Sequence, residues 1–498
     1  MPSVCDVLVI GSGFGGVLSA LILQRHGLRV VVVDRARHPR FLIGESSTPM
    51  ADLVWHDLCQ AHQLDRLAPL AEYGSWQSTY PQLPCGLKRG FSYFAHSPHS
   101  PNHSGQPPAR FPQLLVSASQ HDADADTHWY RPEFDLFLVQ EARAAGVEIC
   151  EEAHGHLAQA GSRWHWSGQV AGITHEWLAD FVLDASGEAN VLGQVLDLGS
   201  LPLQTHSRSV FGHFHGVRPW GELLDEWGHS QAPHPFPCDD AALHHVIDGG
   251  WMYVLRFNNG ITSAGFLLDT RQHPDRGDSP DEEWQRLLAQ YPAIGRQFAQ
   301  ASTTPLCGGL RKTRRLQRRR DRVAGPNWAL LPFTAYGLDA LHSTGNAHTL
   351  RGVERLCQVL LDTAPGPDRQ QALDVYQRLL QQEIDLLDQI VAGCYASFRQ
   401  FDLFASFSMI YFAAAVFSED QRRRGNSGIF DAHLLAGNDV YRHVVNAGLD
   451  ALQRQLARSR PADTAELEAF RAEIAGLIAP FNLAGFCDPA RQHMYPYI

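Results

Sequence analysis

Lysine is almost missing from this 498-residue chain: of 41 basic residues only Lys88 and Lys312 are lysines, and the rest are arginines. An amine against that background is informative, because a permanently charged guanidinium does not replace it as a nucleophile. A basic excess is missing too. The formal charge of −12 excludes a general nucleic-acid binder, which needs a positive surface field. No C-x-x-C pair occurs among the nine cysteines, which read as reduced structural thiols. His213 and His215 fall on one side of a strand, with His244-His245 further on, but no third ligand stands at metal spacing, so no metal is expected. No signal peptide precedes the first strand, which predicts a cytoplasmic protein. Long apolar runs are scarce: Leu403 to Ser418 has 16 residues, short for a membrane span, and reads as a buried helix or pocket wall.

What is present points first to the N-terminus. An apolar strand, Val4 to Ile10, runs into Gly11-Ser12-Gly13-Phe14-Gly15-Gly16, then a helix-like stretch to His26, then Leu28 to Val33 ending on Asp34. This is a βαβ opening with G-x-G-x-x-G at its first turn. Gly11 makes the tight turn, Gly13 admits a pyrophosphate to the backbone, and Gly16 lets helix and strand pack closely. The pyrophosphate rests on the helix N-terminus, where unpaired N–H groups favour an anion. Asp34 is placed to accept hydrogen bonds from a ribose and repels a 2'-phosphate, so FAD or NAD is expected over NADP.

Hydrophobic content of 44% and charged content of 19% over this length suit two or three soluble globular domains with a large core. Downstream of Asp34, the loop from Arg40 through Ile43, Gly44 and Glu45 is positioned to lie against a flavin ring, and it enters a helix that Ser47 or Thr48 caps with Pro49 at its first position. Lys88 precedes a strand ending near Phe94. His96 to Thr127, rich in Pro, Ser, His and Asp, reads as a long loop. Phe181 to Leu183 is a strand ending on Asp184-Ala185-Ser186-Gly187, a small-residue turn at the ligand-binding edge of the sheet. Strands at Val210–His215, His244–Phe257 and Ile261–Leu268 predict an inserted, mostly antiparallel layer. Trp328 to Leu331 is a further strand, followed by Asp339, His342 and Thr344-Gly345 at a helix start. After Ala364-Pro365-Gly366-Pro367 the chain is helical, with aromatics at near-helical spacing that most often mark a core. The expected fold is α/β: a discontinuous Rossmann-like dinucleotide-binding domain (1–200 and 310–362), an FAD-binding domain on the resemblance that follows, an inserted sheet (201–309) and a helical C-terminal region (363–498).

Taken in order, Gly11-Ser12-Gly13-Phe14-Gly15-Gly16, Gly44-Glu45-Ser46, Cys85-Gly86-Leu87-Lys88-Arg89-Gly90-Phe91-Ser92, Gly250-Trp251-Met252-Tyr253-Val254 and Leu341-His342-Ser343-Thr344-Gly345 resemble the flavin-dependent halogenases, over residues 1 to roughly 360. The resemblance is closest to enzymes of phenols and other small aromatics. It implies that reduced FAD, supplied by a separate NAD(P)H-dependent reductase, O2 and a halide (chloride or bromide) give hypohalous acid, which a lysine holds or carries as an N-halogen beside an electron-rich aromatic such as a phenol or pyrrole. By resemblance that lysine is Lys88, Thr344 and Gly345 offer N–H groups to the halide, and His342 stands where indole-acting members have a glutamate, with an imidazole able to act as base near neutral pH. Gly11, Gly13, Phe14, Gly15, Gly16, Asp34, Arg40, Ile43, Glu45, Asp184 and Asp339 are the expected FAD contacts, and Trp251 and Tyr253 the expected substrate wall. The family's W-x-W-x-I-P stretch is Trp251-Met252-Tyr253-Val254-Leu255-Arg256 here. Its loss of the second tryptophan and of Ile-Pro keeps a flavin monooxygenase on the same scaffold open as an alternative, and the aromatic C-terminal helices keep open a non-catalytic flavin-binding accessory protein that presents or sequesters an aromatic intermediate.

Overall fold

The structure, a computed structural model, describes residues 2–98 and 111–497. It opens with β1 (Ser3–Ile10), α1 (Phe14–Arg25) and β2 (Val30–Val33). Then come α2 (Pro49–Ala61), β3 (Cys85–Lys88), β4 (Gly90–Ala95), β5 (Gln113–Ser117), β6 (Asp126–Trp129) and α3 (Arg131–Ala144). Further on lie β7 (Ile173–Asp184), β8 (Ser207–His215), β9 (Ala242–Ile247), β10 (Gly250–Arg256), β11 (Thr262–Asp269) and β12 (Trp328–Leu330). The helices α4 (Thr344–Asp362), α5 (Pro367–Ser397) and α6 (Phe401–Arg423) follow.

The first sheet has a parallel centre. β1 lies between β2 and β7, and β12 lies beyond β7. Ile10 is opposite both Val33 and Asp184, and Asp184 is opposite Leu330, so four strands end together at one carboxyl edge. That edge is where an open α/β sheet binds ligands. Val30 to Val33 are buried throughout, as expected for a strand covered on both faces.

The second sheet runs β8, β11, β10, β9, β4, β5, with β9 and β4 parallel and the other neighbours in this run antiparallel. It therefore takes β4 and β5 from the N-terminal part of the chain as well as strands from the 201–309 stretch. Here the long loop expected from His96 to Thr127 is corrected. Within it β5 pairs with β4, Val116 opposite Phe91, because Leu114, Leu115 and Val116 supply an apolar edge; residues 99–110 of that loop lie outside the described residues.

Strand alternation divides the core. On β10, Trp251, Tyr253 and Leu255 face one layer with Phe91, Tyr93 and the aromatics of α6, while Met252 and Val254 face the opposite layer with Trp220 and Trp284. α6 is long and apolar enough to cross a bilayer, with mean hydropathy 1.6, yet 78% of its apolar window is buried; core burial accounts for its composition. α2 begins as its sequence requires, with Pro49 in the first turn and Thr48 Oγ1 accepting the Ala51 N–H at 3.4 Å.

Candidate functional site

The nucleotide turn is built by close approach. Gly11 has φ +105°, and a Cβ there would lie 2.5 Å from the Ala185 carbonyl oxygen; one on Gly16 would lie 2.2 Å from the Gly11 oxygen. At Gly13 the only atom within 4 Å of such a Cβ is Arg131 Nη2, at 3.6 Å. Asp34 accepts the Ser12 N–H (2.7 Å), the Ser12 hydroxyl (2.8 Å), the Ala36 N–H (2.9 Å) and Arg40 Nη1 (2.8 Å). Burial pushes its carboxyl up, but Arg40 and the Ser12 and Ala36 donors outweigh this and hold it below the usual range. Arg40 thus reaches Asp34, and Phe14 lies under the Arg131 guanidinium at 4.9 Å.

Arg131, unassigned in the sequence, joins the parts of this site. Its Nε and Nη2 each donate to Asp135 at 2.8 Å, and Nη1 donates to the carbonyls of Ile43 (3.2 Å) and Gly44 (3.0 Å). A cation is thereby fixed between the glycine turn and the 43–45 loop. The i,i+4 Arg131–Asp135 pair at a helix start was the signal that could have revealed it.

The 45–47 loop is laid along β6. Trp129 N–H donates to Glu45 O (2.6 Å), Ser47 N–H donates to Thr127 O (3.0 Å), and Ser46 bridges His128. Glu45 Oε1 is 2.7 Å from His213 Nε2. Ser46 Oγ and His213 Nδ1 are buried with no hydrogen-bond partner among the described residues. Polar atoms left bare at this place, with the open approach at Gly13 and the Arg131 cation, fit the phosphates and polar ring edge of a flavin dinucleotide.

β6 carries Asp126 on its other side, directly opposite Lys88 of β3. Lys88 is fully buried. Its Nζ donates to the Ser47 carbonyl, stands 4.2 Å over the Phe91 ring and faces Asp126 Oδ2 at 3.6 Å. Burial pushes the ammonium below the ordinary lysine range although Asp126 and Asp52 oppose it.

α4 starts at Thr344 after Ser343 in the left-handed region (φ 54°), with no side-chain cap. A Cβ on Gly345 would meet nothing within 4 Å, so the first turn opens into space. Asn346 Nδ2 donates to Ser46 O at 3.2 Å. Lys88 and the first turn of α4 therefore hold the carbonyls of two successive residues, Ser47 and Ser46.

His342 stacks on Tyr411 at 4.2 Å, with Nδ1 3.4 Å from Tyr93 Oη and Nε2 3.6 Å from Cys394 Sγ. Phe412 is edge-on to both Phe91 (5.3 Å) and His342 (5.6 Å), so Lys88 and His342 border one aromatic wall. Burial pushes His342 down to about 3, which corrects the expectation of a base near neutral pH: the ring is neutral and weakly basic.

Two further expectations, Asp339 as a flavin contact and Trp251 as a substrate wall, are corrected by saturation. The Asp339 carboxylate accepts from Ser207 Oγ (2.5 Å), Tyr395 Oη (2.7 Å), Trp251 Nε1 (3.1 Å) and Leu341 N (3.2 Å), which ties Trp251 into the inter-layer core. Asp184 accepts the N–H groups of Ser186 (2.9 Å) and Leu192 (2.7 Å) and so braces the 186–192 turn. These partners occupy the Asp339 carboxylate and hold the Trp251 indole in the core, while Asp184 accepts two N–H groups and keeps acceptor positions free. Tyr253 is buried beside Gly265 of β11.

A family profile described as FAD binding domain matches residues 4–42. The chain is 27% identical to monodechloroaminopyrrolnitrin halogenase PrnC of Pseudomonas fluorescens, covering 92% of this chain and 83% of that one. It is 40% identical to the 1H-pyrrole-2-carbonyl-[peptidyl-carrier protein] brominase of Pseudoalteromonas luteoviolacea, covering 73% and 79%. The crystal structure of halogenase PltM with phloroglucinol and FAD superposes with TM-score 0.85 at 22% identity, covering 98% and 99% of the two chains, a likeness of fold.

Proposed function

This chain belongs to the flavin-dependent halogenases, and on that premise we propose that it halogenates an electron-rich phenol or pyrrole through Lys88. The observation that carries the reading is the pair of successive carbonyls at Ser46 and Ser47, held by Asn346 and Lys88, which sets a fully buried lysine amine beside the open first turn of α4. PrnC, the pyrrole brominase and the phloroglucinol complex of PltM support the substrate class.

Bound FAD, when reduced, supplies the electrons with which O2 and halide become hypohalous acid. The residues divide the rest. Gly13, the N-terminus of α1 and Arg131 hold the phosphates by N–H donation and charge. Ser46 and His213 meet the ring edge. The N–H groups of Thr344 and Gly345 bind halide, an anion at an uncapped helix start. Lys88 donates a hydrogen bond to hypohalous acid, or as an amine takes its halogen, and Phe91, Phe412 and the neutral His342 ring hold the arene. Enclosure by the α6 aromatics keeps water from the oxidant.

No second nucleotide motif occurs in the chain, so a separate NAD(P)H-dependent reductase is the proposed source of reduced flavin. Nine buried, unpaired cysteines suit a reducing compartment, the cytoplasm. Incubation with FAD, a flavin reductase, NADH, bromide and a panel of phenols and pyrroles tests the reading. Brominated arene is expected; hydroxylated product without bromide dependence would refute it.

A further inference from the structure

Halogen capture by a buried amine poses a proton problem. Lys88 has no exposed surface, so the proton of its ammonium form has to pass to a neighbour. The groups that face it come from five elements: Asp126 and His128 on β6, Asp52 on α2, Glu419 with Arg423 on α6, His244 on β9, and the Ser47 carbonyl of the 45–47 loop.

Most of these are poor acceptors. Burial drives His128 down to about 3 and His244 well below the usual imidazole range. Glu419 is pushed up to about 8 by burial and then by Asp126, so it already holds a proton at neutral pH. Asp52 receives the Ser47 hydroxyl and lies against Asp126; burial and that neighbour push it well above the carboxylate range. Two buried carboxyls side by side share one proton, burial pushing Asp126 up as well, and of the pair Asp126 is the one whose free oxygen faces the amine. Asp126 Oδ2 is buried, makes no hydrogen bond among the described residues, and faces Nζ at 3.6 Å from the opposing position of the β3–β6 ribbon.

We propose that Asp126 is the proton partner of Lys88, taking the ammonium proton when the amine captures halogen and returning it when the halogen leaves. The proposal rests on the reading of Lys88 as the halogen carrier. In the first step the ammonium gives a proton to the Asp126 carboxylate, the amine displaces hydroxide from hypohalous acid, and hydroxide leaves as water with the second amine proton, giving an N-halogenated Lys88 and a neutral Asp126. In the second step the arene's electron pair takes the halogen as X⁺ while Asp126 protonates the departing nitrogen, restoring its own charge. The ring proton then passes to the Lys88 amine, and the sum is hypohalous acid plus arene giving halogenated arene plus water. Ser47 positions the amine through its carbonyl on Nζ, and its hydroxyl holds Asp52, the neighbour of Asp126.

The test uses the full chain with FAD, reductase and bromide. With Asp126→Asn, bromination of a phenol is expected to fall about a hundredfold, the lower end of the contribution of positioned proton transfer. Oxidant trapped by a thioether continues to form, and thiol-reducible bromine on Lys88 falls together with bromination because the ammonium has lost its proton acceptor; Asp126→Glu recovers both. Two lysines in the chain make a ¹⁵N-lysine titration readable. In the unmodified protein Lys88 Nζ is expected to titrate below the ordinary lysine range, and in Asp126→Asn lower still, because the anion that supports its charge is gone. Lys88 titrating in the ordinary lysine range in the unmodified protein overturns the proposal even if Asp126→Asn does not fold. Parental bromination by Asp126→Asn, alongside loss in Lys88→Met, refutes the role of Asp126 and leaves that of Lys88 standing; bromination surviving in Lys88→Met refutes the reading of Lys88 itself.

Discussion

Replacing Gly345 by alanine separates stability from activity. Gly345 is the second residue of α4, lacks a positive φ, and a Cβ placed on it meets no atom within 4 Å. The protein therefore accepts the methyl without strain. Removing a glycine from a compatible helical position narrows the unfolded ensemble and stabilises by about 0.4–1 kcal/mol, which in a chain of this size raises Tm by roughly 1–2 °C. The same methyl would stand beside the N–H groups proposed to hold halide, and a displacement of about 1 Å at a reacting centre costs on the order of a hundredfold in rate. Gly11→Ala is the control of opposite sign, since its φ of +105° and the 2.5 Å approach to the Ala185 oxygen make it strained by about 1–3 kcal/mol. Differential scanning calorimetry of the FAD-free protein and bromination at varied bromide read the two effects. A lowered Tm in Gly345→Ala refutes the packing argument; a raised Tm with parental rate and parental bromide dependence refutes the placement of halide at this turn.

Arg131→Met leaves Asp135 buried without its counter-charge and is expected to cost about 3–5 kcal/mol in denaturant unfolding, with weakened FAD binding of the folded protein read by flavin fluorescence titration. Glu383 accepts from Arg355 (2.7 Å), His348 (2.9 Å) and the His433 N–H (2.8 Å); burial pushes its carboxyl up, but Arg355 and His348 hold it well below the usual range. Its contribution is therefore full above about pH 4.3, the unfolded value, and is lost as pH falls through the folded one. Glu383→Gln leaves Arg355 buried without its counter-charge and is expected to cost about 3–5 kcal/mol at pH 7 in denaturant unfolding, with a smaller deficit in acid. His342→Gln is expected to leave the shape of the pH–rate profile between pH 6 and 8 unchanged, since the imidazole titrates near 3; a limb removed by the substitution would show the ring working as a base.

The βαβ unit was legible because three constraints coincide in a short stretch: a doubly buried strand, glycines where a Cβ would collide, and an acid at the next strand end. The Thr48 cap with Pro49 was legible for the same local reason. What escaped was non-local. Asp126 sits in a polar stretch without periodicity, and only the β3–β6 register, set opposite Lys88, gives it meaning. Arg131 depends on carbonyls 87 and 88 positions away. Asp339 and Asp184 stand at the ligand edge in sequence order, but the side chains and N–H groups that occupy them become neighbours only after the sheets pack. For His342 the sequence identified the residue and not its burial, which decides its protonation.

Lys88→Met tests the central claim most directly, with brominated arene and thioether-trapped oxidant measured in the same reaction with FAD, reductase, O2 and bromide. The account predicts that oxidant continues to form while brominated arene disappears. Arene bromination at the parental rate would contradict it.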